Sequence, residues 1–163
     1  MGPTTDYLEL SQYTGTAGAP YTSVRVTPKQ IAGVLINQVT TGLEYVIYNQ
    51  GNTLASGTQP YITLPYSATI TGASMIVAPT GSVTADLWVC SYAAYDGGST
   101  HPVASDSICG SHPLVISSGI KTTGVVSAWN TQLTQGSILA VNLSGIINIT
   151  QASIILNLIR TLT

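Results

Sequence analysis

The sequence predicts an all-β protein: a β-sandwich or jelly-roll knob preceded by a small N-terminal strand hairpin and a short helix. Apolar and polar residues alternate through residues 61–90, YITLPYSATITGASMIVAPTGSVTADLWVC. This period of two places successive side chains on opposite faces of a sheet, as in half-buried strands. The composition agrees, because Thr, Ser, Val, Ile and Gly abound while Lys, Glu and Arg are scarce. Turn signals at intervals of about ten residues are typical of sandwiches and jelly rolls.

The low charge of the chain excludes some partners and favours others. Charged residues make up 6% of the 163 residues, against roughly 25% in an average soluble domain. The net charge of -2 offers no basic surface for nucleic acid or an anionic membrane. No run of residues approaches the ~20 apolar residues of a membrane-spanning helix. A surface with so few charges gives a monomer little protection against association. We therefore expect other protein chains to cover much of this surface.

The N-terminal part of the chain differs in character from the rest, and we predict a segment 1–36 followed by a domain 37–163. The segment holds Arg25 and Lys29, two of the four basic residues. Its first residues, MGPTTDYLELSQY, lack the basic start and apolar core of a secretory signal. This predicts a protein that is made and assembled in the cytosol.

The segment itself reads as two strands and a short helix. Alternation predicts a first strand at Tyr7–Tyr13, and a Gly/Ala/Pro loop separates it from a second strand at Tyr21–Val26. Thr27-Pro28-Lys29-Gln30 is a helix-start signal, since Thr27 can cap and proline suits the first helical position. The short helix would carry Ile31. These elements are too small to bury a core alone, so we expect them to dock on something else.

The middle of the chain predicts further strands joined by turns. Leu43–Tyr48 reads as a strand that leads into a turn at Asn49–Asn52. A strand over Tyr61–Val77 would end at Pro79–Ser82, a turn signal, and the alternation restarts over Val83–Val89.

The remainder holds one long loop and several short strands. The loop, Ser91–Ser107, carries Asp96-Gly97-Gly98 and His101-Pro102. It is longer than the roughly 12–15 residues of ordinary connections, and such loops are usually functional or interface-forming. Further strands are predicted near Ile108 and over Leu114–Ile116, Val125–Trp129, Ile138–Ser144 and Gln151–Leu162.

The last of these strands has apolar residues on both faces. Ala152, Ile154, Leu156 and Leu158 form one face, and Ile155, Asn157 and Ile159 lie on the other. An open antiparallel sheet normally leaves its second face polar. Either the second face meets a partner subunit, which we favour, or a single sheet bends over a wide core. We therefore predict Ile155, Asn157 and Ile159 in a subunit interface.

No catalytic or metal-binding residue is predicted, and no cofactor. His101 and His112 each precede a proline, but a catalytic base would need an activated nucleophile and an orienting acid. No G-x-S-x-G motif supplies such a nucleophile. Asp96 and Asp106 lack the regular spacing of calcium ligands, so we favour turn residues that bond their own backbone.

Two further questions concern the role of the aromatic residues and the oxidation state of the cysteines. Trp88, Tyr92 and Tyr95 form a sugar-stacking patch, or else Trp88 packs under the long loop, which we favour. Trp129 is predicted to anchor a strand or loop. Cys90 and Cys109 are the only cysteines, and a reducing compartment favours two buried thiols over a disulfide.

Two stretches resemble known phage proteins. The first is GTQPYITLPYSATI at residues 57–70, with GSVTADLW at 81–88, WNT at 129–131 and GSILAVN at 136–142. It resembles a β-sandwich domain recurrent in tailed-phage structural proteins, and covers residues 57 to about 160. The family pattern has tryptophan directly before threonine and an acidic residue after the later glycine. Here Asn130 and Ser137 depart from it, while the hydrophobic positions hold.

The second resemblance concerns the N-terminal segment. DYLELSQ at residues 6–12 and VTPKQI at 26–31 resemble a short module that opens many phage fibre and appendage proteins. The module is implied to fasten an appendage to the virion or to trimerise its neck. The residues implied to contact the virion are Tyr7, Leu8, Leu10, Tyr13, Arg25, Lys29 and Ile31.

Together these observations lead to one expected function and two rivals. We expect a non-enzymatic, homotrimeric structural protein of a bacteriophage virion, assembled in the host cytoplasm: a capsid decoration (cement) protein or a short head or tail fibre. Its partners would be copies of itself and capsid or tail proteins. The first rival is a tail-tip receptor-binding protein that recognises host cell-surface carbohydrate through Trp88, Tyr92 and Tyr95. The second is a polysaccharide hydrolase, which would need paired acids about 5–10 Å apart.

Overall fold

The computed structural model describes residues 8–13, 21–26 and 40–161, with side chains for 40–161. The chain divides into two compact units, Met1–Val39 and Thr40–Thr163. In both units the described strands pair antiparallel, and the prediction of an all-β protein is confirmed. The predicted boundary after residue 36 lies outside the described residues.

The N-terminal unit contains one described hairpin. Strand β1, Leu8–Tyr13, pairs with strand β2, Tyr21–Val26, with Leu8 opposite Val26. Both predicted strands are confirmed to within one residue. The predicted helix start at Thr27 lies outside the described residues, as do Tyr7, Lys29 and Ile31, three of the predicted virion contacts.

The second unit is an antiparallel, curled sheet of eight strands. The strands are β3 Thr40–Tyr48, β4 Gly57–Thr58, β5 Ile62–Thr63, β6 Ala68–Cys90, β7 Leu114–Thr123, β8 Gln132–Leu133, β9 Ile138–Ile147 and β10 Gln151–Arg160. The sheet order is β3-β10-β6-β9-β4, with β5 on β9 and with β7 and β8 on β6, the longest strand.

Strand β6 runs through the predicted turn at Pro79–Ser82, so that prediction is wrong. Its first half, up to Ala78, pairs with β10, and its second half, from Ser82, pairs with β9. Because β9 leads directly into β10, the two follow β6 in sequence as one antiparallel partner. The result is a long two-stranded ribbon that bends in its middle.

Pro79 and Gly81, which are typical of a turn that reverses the chain direction, lie here at the bend of the continuous strand β6. Pro79 has no N–H to donate, and it stands where the pairing passes from β10 to β9. On the other edge, the pairing with β7 shifts register between Ile76 and Gly81. A Cβ added to Gly81 would overlap the carbonyl oxygen of Ile147 and would lie 2.6 Å from Ile149 Cδ1. A proline and a glycine therefore fit a bend that a ladder of ordinary residues would not tolerate.

Three other predicted strands differ from those observed. The strand predicted over Tyr61–Val77 is interrupted between β5 and β6, where Pro65 cannot donate to a ladder. Ile108 makes only isolated backbone bonds, to Leu87 and Asn130, so no strand forms there. Val125–Trp129 contains a 3-10 helix, Val126–Ala128, in place of a strand.

The core lies on the concave side of the bent ribbon. Along β6 the odd-numbered residues from Ala73 to Leu87 point inward on both sides of the bend, with Pro79 and Gly81 at the bend itself. Residues of β9 and β10 complete the core, and the predicted inner face of β10 is confirmed. The largest fully buried aliphatic side chains are Met75, Leu87, Leu114, Leu139, Leu143, Ile149, Ile154 and Leu156. The two halves of the ribbon therefore bury the same side of β6 in one shared core.

In the part of the chain that the structure describes, no helix is long and apolar enough to cross a membrane.

Candidate functional site

The surface that stands out is the side of the curled sheet that faces away from the core, which we call the outer face. It is built from β3, β10, the first half of β6 and the end of β7. Pairing aligns its side chains in rows across the sheet. One row is Val46, Ser153, Ile76 and Lys121, and the next is Glu44, Ile155, Ser74 and Thr123.

Large apolar side chains on this face are exposed to solvent. Val46 is 56% exposed, Ile76 is 52% exposed and Tyr48, at the end of β3, is 62% exposed. Ile155 lies half-buried between them. Contiguous exposed apolar surface on a sheet marks an interaction site more often than scattered single residues do.

The three residues predicted at a subunit interface all belong to the outer face. Ile155 and Ile159 are half-buried and Asn157 is exposed. The Asn157 side chain lies over Gly72, whose hypothetical Cβ would be 3.0 Å from Asn157 Nδ2. The sheet does bend over its core, as the alternative interpretation required, yet this second face points away from that core. Contact with a partner subunit stays a prediction.

The outer face carries one charge of each sign, at opposite edges. Glu44 lies on β3 and Lys121 lies on β7, with β10 and β6 between them. The Ser153 hydroxyl donates a 2.6 Å hydrogen bond to Glu44 Oε1, which holds the carboxylate over the sheet. Within residues 40–161, neither charge has an opposite charge at salt-bridge distance.

A groove follows β3 beside the outer face. It has a volume of about 320 Å³ and is lined by residues 44–48 together with Gln59, Pro60 and Ile62. Tyr45, which lines it, has a buried phenol oxygen without a hydrogen-bond partner in the described part of the chain. Burial raises the pKa of Tyr45 to about 12, with a further contribution from Tyr61. The phenol therefore stays neutral in the physiological range.

The long loop is held by its own aspartates. Asp96 accepts hydrogen bonds from the backbone N–H groups of Thr100 and His101 and from the Thr100 hydroxyl. Asp106 accepts from the Val103 N–H and lies 2.9 Å from His101 Nδ1. The prediction that these aspartates bond their own loop is confirmed. No cluster of three potential metal-ligating side chains occurs in the described ranges.

Asp96→Asn is expected to loosen this loop without unfolding the domain. The Thr100 hydroxyl bond, together with the two backbone bonds, lowers the pKa of Asp96 well below its usual range. A folded pKa below the ordinary value of about 3.9 stabilises the loop above that pH, and this contribution is lost as the pH falls further. We expect lower protection factors against amide exchange at Thr100 and His101 in the variant at pH 7, and in the native protein we expect these protection factors to fall as the pH drops below 4. Glu44→Gln, which removes one negative charge elsewhere, is the control, and equal exchange in Asp96→Asn and native protein would contradict the assignment.

A third carboxylate, on the sheet itself, fastens the far part of the loop to β6. Asp86, on β6, accepts hydrogen bonds of 2.7 Å from both the Trp88 indole N–H and the Ser107 hydroxyl. Trp88 also pairs with Ser107 through a backbone bridge. Its indole is half-buried beside the loop. These contacts agree with the favoured interpretation that Trp88 packs against the loop.

The remaining members of the predicted sugar patch lie at the start of the loop. Tyr92 is 73% exposed. Tyr95 packs edge-on against Tyr61, with ring centroids 5.1 Å apart, and the Tyr61 hydroxyl donates to the Gly97 carbonyl. Sequence reasoning did not include Tyr61, because its partner lies on a distant loop. Sugar binding by Trp88, Tyr92 and Tyr95 stays a prediction.

Both cysteines are buried, free thiols, as predicted. Burial raises the pKa of Cys109 to about 12, and burial together with the nearby Asp106 and Asp96 raises the pKa of Cys90. Thiols held protonated in this way are poor nucleophiles and poor metal ligands.

No protein-family model matches this chain, and no curated protein or solved structure matches it significantly. The resemblance to phage structural proteins therefore stays an expectation drawn from the sequence motifs.

Proposed function

We propose that this protein is a non-enzymatic structural subunit of a tailed-bacteriophage virion. It would act as a homotrimeric capsid decoration protein or a short head or tail fibre. The N-terminal segment would dock on the particle, and the curled β domain would form a β-sandwich or jelly-roll-like knob. The observation that carries this proposal is the exposed apolar outer face, with Val46 and Ile76 each more than half exposed.

The energetics of the outer face favour an assembled state. Burying apolar surface stabilises by about 25 cal/mol per Å², and a partner that binds only the folded chain adds stability by mass action. Only one acidic and one basic residue accompany the apolar side chains in the two central rows. Little desolvation of charge therefore opposes association. A protein of this kind works through the contacts it makes, without a reaction of its own.

Deleting residues 1–33 is the experiment that tests the proposal. Because Thr40–Thr163 is a compact unit of its own, the truncated protein is expected to fold and to sediment as a trimer of its own chain. We expect its incorporation into virions to fall to background, because the docking segment is gone. Particles assembled with the full-length protein, carrying the same tag, provide the control. Normal incorporation of the truncated chain would overturn the anchor role, and a full-length protein that sediments as a monomer would overturn the trimer.

The receptor-binding alternative has one observation in its favour. Tyr92 is largely exposed on the long loop, near a Tyr61–Tyr95 pair that could flank a sugar ring. A glycan array distinguishes the two functions, since a structural subunit binds no host glycan and a receptor-binding protein does.

A further inference from the structure

We propose that the partner of the outer face is a second copy of this chain, placed so that Glu44 of one copy lies against Lys121 of the next. This inference rests on the proposed function and names the partner and the contact of the same surface. Its basis is charge complementarity: the face presents a carboxylate at one edge and an ammonium group at the other, with apolar side chains between them.

The two charges are too far apart to pair within one chain. Glu44 on β3 and Lys121 on β7 are separated by three strand spacings. At about 4.8 Å per spacing this is about 14 Å, well beyond salt-bridge distance. Among residues 40–161, each charge is therefore available to an oppositely charged group on another molecule. A second copy offers both groups at the matching separation.

The Glu44 carboxylate is already positioned for such a contact. The 2.6 Å hydrogen bond from Ser153 fixes one carboxylate oxygen above the neighbouring strand. Holding a long side chain in place before binding lowers the entropy cost of forming an intermolecular pair. Lys121 lies beside the exposed Ile76 on β6, so the pair would close over apolar surface.

The location of the charges on opposite edges permits a closed ring. If the β3 edge of one sheet meets the β7 edge of the next, every copy uses both edges and no edge stays open. The apolar middle of each face, with Val46, Ile155 and Ile76, then points toward the ring axis. The proposed function gives this ring three copies.

Charge exchange in the full-length protein tests the contact. Glu44→Lys and Lys121→Glu, each alone, place like charges against each other between copies, and we expect each to weaken assembly by about tenfold or more at low ionic strength. The double variant Glu44→Lys/Lys121→Glu restores opposite charges and is expected to recover native assembly. Sedimentation velocity across a concentration series measures this, and circular dichroism confirms that each variant is folded. Because both sites are exposed on the sheet surface, Glu44→Gln and Lys121→Gln serve as milder variants that remove charge without repulsion.

Mixing the two single variants determines the symmetry. A Glu44→Lys copy has only positive charge at the ends of its outer face, and a Lys121→Glu copy has only negative charge, so each kind attracts the other. A two-fold pair or an even ring satisfies every contact, whereas a ring of three always places two copies of one kind side by side. We therefore expect the mixture to assemble less stably than the double variant.

The outcomes separate this inference from the proposed function. Native assembly in both folded single variants, or failure of the folded double variant to recover, would overturn the Glu44–Lys121 contact even if the protein is a trimer. Full recovery in the mixture would support the contact and overturn the trimer. A full-length protein that is monomeric at all concentrations would overturn both.

Discussion

Replacing Gly81 with alanine is expected to destabilise the second unit by about 3 kcal/mol, the upper end of the usual cost of overpacking. Gly81 lies at the bend of the ribbon, where β6 passes from β10 to β9. An added Cβ would overlap the carbonyl oxygen of Ile147 and come within 2.6 Å of Ile149 Cδ1. Because the first contact is with backbone, no change of side-chain rotamer relieves it. The bend must shift, and the buried Ile149 with it.

Gly119→Ala is the matched control for this prediction. Gly119 is the residue that pairs with Gly81 across the sheet. Its added Cβ would meet nothing closer than Ile116 Cγ2 at 3.5 Å, and neither glycine has a left-handed backbone conformation. The two substitutions therefore differ in available space alone. Thermal unfolding should show a midpoint lower by roughly 10 °C for Gly81→Ala and little change for Gly119→Ala. Equal midpoints would mean that the bend is not tightly packed.

The strands were predictable because a period of two is a local property of the chain. The strand at Leu43–Tyr48, the two N-terminal strands and the closing strand were found in this way. The bend was not predictable, since Pro79 and Gly81 have the same composition as a turn that reverses direction. What decides between a turn and a bend is the partner strand, and β9–β10 lies far away in the sequence.

The candidate site was predictable only in part, for a related reason. Alternation in the last strand placed Ile155, Asn157 and Ile159 opposite the core face. It did not indicate Val46, Ile76 or the two charges, because those residues come from strands whose neighbours are set by tertiary pairing. Lys121 joins the face only because β7 returns along β6 after the long loop.

The two halves of the ribbon differ in what covers their outer sides. On the second half, Asp86 and Trp88 hold the long loop against β6 through Ser107. On the first half, Ile76 and Val46 remain exposed. The loop therefore covers part of the second half, where Val115 of β7 and Ile147 of β9 nevertheless remain 47% and 65% exposed.

Trp129→Ala is expected to cost about 3–5 kcal/mol, as large-to-small changes of buried aromatic residues do. The indole is buried, its six-membered ring lies directly over Gly124, and Ala73 of β6 is close beside it. Its N–H donates a 2.8 Å hydrogen bond to the carbonyl of His112. Trp129 therefore ties the loop end, residues 108–113 that follow the long loop and lead into β7, to the sheet, in agreement with its predicted anchoring role. Removing it opens a cavity and frees the loop end at the same time.

Trp129→Phe separates the two contributions. Phenylalanine keeps much of the ring packing but leaves the His112 carbonyl without its donor, so we expect a loss of about 1–2 kcal/mol. Trp88→Phe is the control, because that indole is only half-buried and donates to Asp86 instead. Urea unfolding gives the free energies, and amide exchange over residues 108–113 reports the loop end. A loss below about 1 kcal/mol for Trp129→Ala, or unchanged exchange at 108–113, would show that the loop is held by its own aspartates and not by this side chain.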